Sequence, residues 1–368
     1  MRKNYECNLS TVLKKVEELQ SDFSVVQEKI TTGIALFGAG QFGRASLEYL
    51  RKNNFTVICF IDNAPEKQGT IVDGIPVVPT GDSLVTSAGV ILITARHAVG
   101  HIQASLQYNM PKLSFDAWFL VANLQKYIDM RDQLFPDSRS KECLDGIMLT
   151  MLTGDENWCA SVMDVNQYFC LPQFVNIGTD VFVDAGAYVG DTVEKFIWAN
   201  NGGFKHIYAF EPCGLQIAAL EHRRERLIKE WALNENNFTI INAGLGQMDS
   251  FANINIDKGH LLGASLSMSD TGDSAADVKV LALDNYINGK PVTFIKADIE
   301  GMEMAMLRGA INTIKANNPK MALSVYHKPD DLLEIIQFVR SVNMKYTFAL
   351  RHHSPLLMDT TLYCWLEK

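Results

Sequence analysis

Two strand, glycine-turn, helix units in one chain of 368 residues predict an α/β protein built of two doubly wound, Rossmann-like domains. The first unit is IALFGAGQFGRASLEYL at 34–50 and the second is VFVDAGAYVGDTVEKF at 181–196. Each feeds a short apolar run into a turn containing glycine and then into a helix, and each is followed by further apolar runs separated by helical periodicity. The length agrees, because one hydrophobic core stops growing near about 250–300 residues.

Taken in order, residues 8–30 place Leu9, Val12, Leu13, Val16, Leu19, Phe23 and Val26 at spacings of three and four, an amphipathic helix that packs on its own domain or on a second copy of the chain as a homodimer. Residues 1–32 are therefore an N-terminal helix, and 33–120 a nucleotide-binding type of α/β domain with strands IALF, FTVICFID and GVILITA. Residues 121–178 keep helical periodicity in LQKYIDMRDQLF and KECLDGIMLTMLTGD without strand alternation, and read as a helical connector. In 179–368 the expected strands are VFVDA, HIYAFE (206–211), FTIINA (238–243), VTFIKADIE (292–300) and KMALSVYH (320–327). Helices begin near Thr192, Gly214, Met302 and Pro329; in PDDLLEIIQFV the proline suits the first helical position and the aspartates the positive end of the helix. KYTFAL and TLYCWLE, joined by a short link, close the chain as an antiparallel hairpin.

Composition narrows the function. Hydrophobic content of 47% and charged content of 20% are those of an ordinary globular protein. A net charge of -9 without a long lysine or arginine run argues against a nucleic-acid partner, and the basic patch HRRER (222–226) is offset by Glu221, Glu225 and Glu230 as a solvated helix face. No apolar run approaches the length of a membrane span, and MRKNYECNLSTVLKKVEELQ lacks the form of a signal peptide. The seven cysteines (7, 59, 143, 159, 170, 213, 364) contain no CxxC pair and read as free thiols, so a cytoplasmic protein is expected.

Glycines between strand and helix let a ligand approach backbone that side chains would otherwise shield, and an acid ending the second strand accepts hydrogen bonds from ribose hydroxyls. In the first unit Gly38, Gly40 and Gly43 form GxGxxG and Asp62 ends the next strand; a nucleotide site and a turn retained for packing both remain open. Thr94, Arg96 and His97 follow the third strand as phosphate contacts or ordinary loop residues. The second turn differs. Its D-A-G-A-Y-V-G-D-T would set Asp184 and Asp191 against a pyrophosphate, a costly meeting of like charges, while Glu211 at the end of HIYAFE still supplies a ribose-binding acid. A ribose-bearing ligand with a cationic head and no phosphate suggests S-adenosylmethionine.

The remaining strand ends then supply the reaction. Methyl transfer to a hydroxyl needs alignment, removal of a proton and a fixed acceptor. Asp298 and Glu300 (IKADIEG) and His327 (SVYHKPDD) fall on that rim, with His327 as general base or as a structural histidine. A magnesium or manganese ion on these three is chemically acceptable, but no metal is assigned. His352 and His353 form a lid or an exposed loop pair, and Arg351 and Lys328 contact an acidic acceptor or are surface charge.

VFVDAGAYVGDTVEKF, IYAFEP, VKVLALDNYI with VTFIKADIEGMEMAMLRGA, LSVYHKPDDLLEI, LRHHS and TLYCWLE together resemble the FkbM family of S-adenosylmethionine-dependent methyltransferases, over roughly residues 165–368. The resemblance implies a class I methyltransferase fold of seven strands with the last antiparallel. It also implies O-methylation, commonly of sugar hydroxyls in polysaccharide biosynthesis. Carried over by motif, Asp184, Gly186, Gly190 and Glu211 bind the cofactor while Asp298, Glu300 and His327 face the acceptor; Tyr188, Asp191, Thr192, Pro212 and Asn242 complete the expected cofactor set. Separately, GAGQFGRASLEYLRKNNFTVICFIDNAPEKQGTIVDGIPVVP is similar to nucleotide-binding domains that precede sugar-modifying enzymes, including bacterial sugar acyltransferases, which implies a nucleotide or nucleotide-sugar as second ligand. The expectation is an O-methyltransferase acting on a sugar, glycan or related acceptor. The alternatives are a nucleotide-sugar-binding or regulatory protein with an inactive methyltransferase fold and, last, a nicotinamide-linked oxidoreductase centred on GAGQFG, which lacks a nearby acid or base set.

Overall fold

The computed structural model describes residues 5–175, 178–256, 264–268 and 277–367, with only the backbone described at 253–256, 264–268 and 277. Its chain groups into two units, one of Met1–Met163, Tyr326–Leu333 and Leu350–Thr360, the other of Asp164–Val325, Glu334–Ala349 and Thr361–Lys368. These differ from the expected linear boundaries at 32, 120 and 178: the N-terminal helix and most of the helical connector belong to the first unit, as do two segments from far along the chain. Among the described residues, no helix is long and apolar enough to cross a membrane.

The first unit contains α1 (Leu9–Lys29), β1 (Ile34–Phe37), α2 (Gln41–Lys52), β2 (Val57–Ile61), β3 (Ile71–Val72), β4 (Ile75–Val78), β5 (Val90–Ile93), α3 (Val99–Ser105) and β6 (Lys112–Ser114). They are followed by α4 (Phe115–Ala122), α5 (Leu124–Leu134), α6 (Ser138–Thr153) and α7 (Asn157–Ser161). Its six-stranded sheet has the order β3-β4-β2-β1-β5-β6, parallel throughout except for the β3–β4 hairpin. Asn8 caps α1 by accepting from Thr11 N at 2.9 Å, and the helix buries Val12, Val16 and Val26 while packing on α4, α6 and β6 of its own unit. The hairpin and β6 were not expected. The hairpin nevertheless had a signal, since Asp73 and Gly74 between its strands both take left-handed backbone (φ 49° and 77°), as a tight two-residue hairpin turn requires.

Charged side chains hold the late segments within this unit. Arg96 donates to both oxygens of Asp116 (2.9 and 3.0 Å) and also to the carbonyls of Tyr326 and Leu357. Arg351, buried, lies 3.0 Å from Asp137 and donates to Ser140, while Lys328 pairs with Glu48 at 3.0 Å and Lys52 with Asp330 at 3.3 Å.

The second sheet system begins with β7 (Val181–Ala185), α8 (Asp191–Ala199), β8 (His206–Phe210), α9 (Gly214–Trp231) and β9 (Phe238–Ile241). Then come β10 (Gly244–Leu245), β11 (Ser250–Ile256), β12 (Ala264–Met268), β13 (Asp277–Leu281) and α10 (Leu283–Ile287). The chain ends with β14 (Phe294–Ala297), α11 (Glu303–Gly309), α12 (Ile311–Asn317), β15 (Lys320–Ser324), α13 (Asp331–Val342), β16 (Thr347–His352) and β17 (Thr360–Trp365). The main sheet has seven strands in the order β16-β17-β15-β14-β7-β8-β9, with β17 antiparallel to β15, as expected for a class I methyltransferase fold. A further four-stranded sheet, β10-β13-β11-β12, was not foreseen, although the alternation A-N-I-N-I within β11 is a period-two signal.

Chain order and sheet order together place the site. From β7 the chain proceeds to β8 and β9 on one side, whereas β14 and β15 lie on the other, all parallel. The C-terminal ends of these strands therefore share one edge, and the order reverses between β7 and β14, the place where open α/β sheets bind ligands. Behind that edge Phe182 of β7 stacks on Phe196 of α8 at 4.3 Å and touches Phe294 of β14 at 4.8 Å, which fixes strand and helix on either side of the turn.

Candidate active site

β7 is buried along its whole length and ends in a turn only glycine can make at two points. Gly186 has φ +77°, and a Cβ there would lie 2.0 Å from the carbonyl oxygen of Asp298. Gly190 has φ +83° and caps α8 without any side-chain hydrogen bond to the helix start. Between them Tyr188 also adopts left-handed backbone, φ 48°, which is costly for a residue with a side chain.

Glu211 stabilises that conformation. It is 7% exposed, and its two carboxylate oxygens accept from Tyr188 N and Cys213 N, both at 2.9 Å. Burial pushes its carboxyl up from the ordinary glutamate value, while the two N–H donors and Lys296 pull the other way. Each oxygen thus accepts one backbone bond, and a carboxylate with about four acceptor positions retains capacity for two hydroxyl donors. This donor and acceptor pattern fits a ribose diol.

Asp184 differs from the sequence expectation. It is fully buried, with the ammonium of Lys296, 2% exposed, 3.0 Å from Oδ1. Lys296 Nζ also donates to Gly186 O at 2.7 Å and Ala185 O at 3.3 Å. Neither Asp184 oxygen accepts a well-aligned hydrogen bond among the described residues, so the contact is a charge pair. Burial pushes Asp184 up, to about 6, against the pull of Lys296. Burial alone would lower Lys296, but Asp184 and Asp298 outweigh it and hold the ammonium above the ordinary lysine value. The two shifts differ in origin: burial disfavours the charged carboxylate of Asp184, with smaller contributions from Asp191 and Asp298, whereas the neighbouring carboxylates keep Lys296 protonated against its burial. Two bare carboxylates do not face a pyrophosphate here, contrary to the expectation from sequence: Lys296 offsets Asp184, and Asp191, partly exposed at the first position of α8, has Lys195 at 3.7 Å.

Beyond β14 the D-I-E-G turn is built by Glu300 and Gly301, both left-handed at φ 57° and 92°. Asp298 is half-buried and accepts from Tyr168 Oη at 2.7 Å. Glu303, fully buried, accepts from Ile299 N at 2.9 Å and has a carboxylate oxygen within 4.8 Å of one on Asp298; no metal is assigned to this pair. Thr192 is buried in the first turn of α8, Pro212 follows Glu211 half-buried, and Asn242 is exposed directly after β9. The edge of the second unit therefore collects Gly186, Tyr188, Gly190, Asp191, Thr192, Glu211, Pro212, Asn242, Asp298 and Glu300 at the ends of β7, β8, β9 and β14. His327, 8% exposed, follows the end of β15 and belongs to a segment that groups with the first unit.

Other expectations for the closing strands change. His352 is the last residue of β16, fully buried, with Nδ1 at 2.9 Å from Thr360 Oγ1, so it is neither lid nor exposed loop. Burial pushes its imidazole down to about 4. Arg351 and Lys328 are engaged with Asp137 and Glu48 rather than presented as loose surface charge.

The first unit repeats the brace seen at Glu211. Asp62 Oδ2 accepts from Ala39 N and Oδ1 from Ala64 N, each at 2.9 Å, with Lys67 at 3.6 Å. Gly38 has φ +112°, and a Cβ on Gly43 would fall 2.0 Å from Gly38 O, so close packing of α2 on the turn accounts for the third glycine, while Gly40 has open space. Thr94 Oγ1 donates to Phe37 O and Gly38 O, and Arg96 is held by Asp116, so both serve the fold rather than presenting themselves to a phosphate; His97 is exposed. Sequence reasoning missed Lys296, Tyr168 and Glu303. The lysine had a faint signal, a charge in the middle of the apolar run FIKA.

Residues 184–346 match the family of the methyltransferase FkbM domain, a span that opens on Asp184 and includes the glycine turn, Glu211, Asp298, Glu300 and His327. No curated protein matches the chain. Among solved structures, methyltransferase FkbM from Methylobacillus flagellatus KT is 22% identical at a TM-score of 0.60, covering 97% of this chain and 98% of that one, a likeness of fold. An rRNA methylase from Streptococcus thermophilus is 14% identical (TM-score 0.35, 55% of this chain, 99% of that one). Precorrin-6y C5,15-methyltransferase from Geobacter metallireducens GS-15 is 11% identical (TM-score 0.30, 52% of this chain, 83% of that one).

Proposed function

We propose that the chain is an S-adenosylmethionine-dependent methyltransferase that modifies a hydroxyl of a sugar, glycan or related small acceptor. Glu211 carries the reading: a buried acid at the end of the second strand, braced by Tyr188 N and Cys213 N, with acceptor capacity left for a ribose. The family match over 184–346 supplies the reaction class. S-adenosylmethionine, when bound, supplies an electrophilic methyl group. The turn from Gly186 to Gly190 admits it against the backbone, Glu211 takes its ribose hydroxyls, and Asp191 at the helix start disfavours an anionic head in its place.

At the acceptor, His327 takes the hydroxyl proton, which requires a neutral imidazole, and Asp298 and Glu300 orient the sugar by accepting its other hydroxyls. Incubation with methyl-labelled cofactor and a panel of sugar nucleotides and lipid-linked glycans is expected to label a glycan oxygen. In the same assay His327→Ala is expected to lose roughly 100- to 10,000-fold in rate, the range for a lost general base, with affinity for S-adenosylhomocysteine nearly intact. Label on nitrogen or carbon would overturn the O-methylation, and an unimpaired His327→Ala would remove the base.

The turn at Gly38, Gly40 and Gly43 with Asp62 belongs to the same proposal as the place for a nucleotide or nucleotide-sugar. Thermal stabilisation by UDP-sugars or NAD, lost in Gly40→Val, supports it. Stabilisation by S-adenosylhomocysteine alone leaves that turn a packing device, a role its internal hydrogen bonds already explain.

A further inference from the structure

Tyr168 precedes the residues that match the family, 184–346, yet its hydroxyl reaches the D-I-E-G turn. The ring is buried, 3% exposed, and Oη donates to Asp298 Oδ2 at 2.7 Å. Three further contacts fix where that hydroxyl points. Tyr168 N donates to Tyr363 Oη at 2.9 Å, tying the segment to β17; the ring edge meets Phe169 at 6.5 Å; and the Lys296 ammonium stands 5.3 Å from the ring centroid. The backbone of Tyr168 has φ 70°, left-handed for a residue with a large side chain, a conformation that persists only where neighbours enforce it.

A phenol that donates to one carboxylate oxygen restricts the rotamer of the acid and favours its ionised form. Here the same Lys296 lies beneath both the ring of Tyr168 and the glycine turn, through Gly186 O. The phenol therefore couples the orientation of Asp298 to the backbone that receives the cofactor. We propose that Tyr168 is a positioning residue of the methyl-transfer site, holding Asp298 ionised and oriented for the acceptor. The inference rests on the methyl-transfer reading given above.

A double-mutant cycle on turnover tests it. Tyr168→Phe deletes the hydroxyl and keeps the ring in its packing; Asp298→Asn removes the charge it serves. Loss of a hydrogen bond to a charged group predicts a fall in kcat of roughly 10- to 100-fold for Tyr168→Phe, with KM for the cofactor nearly unchanged. On the Asp298→Asn background the same change is expected to have almost no further effect, because the tyrosine acts through the aspartate. Unfolding midpoints of all four proteins separate lost orientation from lost fold. Losses that multiply, or a Tyr168→Phe protein with wild-type kcat, overturn the role of Tyr168 while leaving methyl transfer standing. A wild-type chain that methylates no acceptor overturns the underlying reading and the inference with it.

Discussion

Lys296 and Asp184 face each other at 3.0 Å with almost no solvent on either, so removing one leaves the other as a buried, uncompensated charge. Lys296→Met is expected to lower unfolding stability by about 3–5 kcal/mol, and Asp184→Asn in the same protein to restore much of it, as read from urea midpoints. If the double variant is no more stable than Lys296→Met alone, the pair is not the reason for the loss. Glu211→Gln makes a different prediction. One oxygen becomes an NH2 facing Tyr188 N or Cys213 N, a donor against a donor, at a cost of about 1–3 kcal/mol. Affinity for S-adenosylhomocysteine should fall by roughly 5- to 150-fold in calorimetry, and unchanged affinity would remove the ribose assignment.

At the scale of elements, two glycines give opposite expectations for one substitution. At Gly186 an alanine puts Cβ 2.0 Å from Asp298 O in left-handed backbone, so β7 and β14 would have to part at their ends. Gly186→Ala is expected to abolish cofactor binding and lower the unfolding temperature. Gly214, in the first turn of α9, has no atom within 4 Å of the site a Cβ would occupy. Gly214→Ala should be neutral or stabilising by up to about 1 kcal/mol in thermal unfolding. If the two behave alike, close approach is not what selects glycine in the turn. Asp62 and Glu211 show a second element-level rule: each closes its glycine turn by accepting a backbone N–H, from Ala39 and Tyr188, before any ligand is considered. The strands of the two main sheets that were read from sequence lie on short apolar runs bounded by turn residues, such as IALF and the VFV of VFVDA. Of those missed, β3, β6 and β10 are only two or three residues long and carry too little pattern to register, whereas β4, β11, β12 and β13 are longer and were missed despite it.

For the molecule as a whole, the buried groups give stability a pH dependence with two opposing parts. His352 has its imidazole pushed from 6.5 down to about 4, so the unfolded chain binds a proton first as pH falls; the stability it allows above pH 6.5 is lost on the way to about pH 4. Asp184 has its carboxyl pushed from 3.8 up to about 6, so the folded chain binds the proton first and stability from this group declines as pH rises through that window. His352→Gln should flatten the acid-side loss, worth roughly 3 kcal/mol at most, in urea unfolding between pH 4 and 7. An unchanged slope would show that His352 is not the group responsible.

Sequence alone determined where chain direction changes: apolar runs, glycine turns and strand-end acids placed both α/β units, the seven-stranded sheet and the row Asp184, Glu211, Asp298 along its edge. Those features are local, since periodicity and turn chemistry act over a few residues. Tertiary structure decided which charges are neutralised and which side chains leave solvent: Lys296 on Asp184, Tyr168 on Asp298, His352 within the interior, Arg351 on Asp137, and the grouping of 326–333 and 350–360 with the first unit. The reason is that burial and charge pairing depend on atoms brought close from distant positions in the chain. Tyr168 and Asp298 are 130 residues apart in sequence and 2.7 Å apart in space.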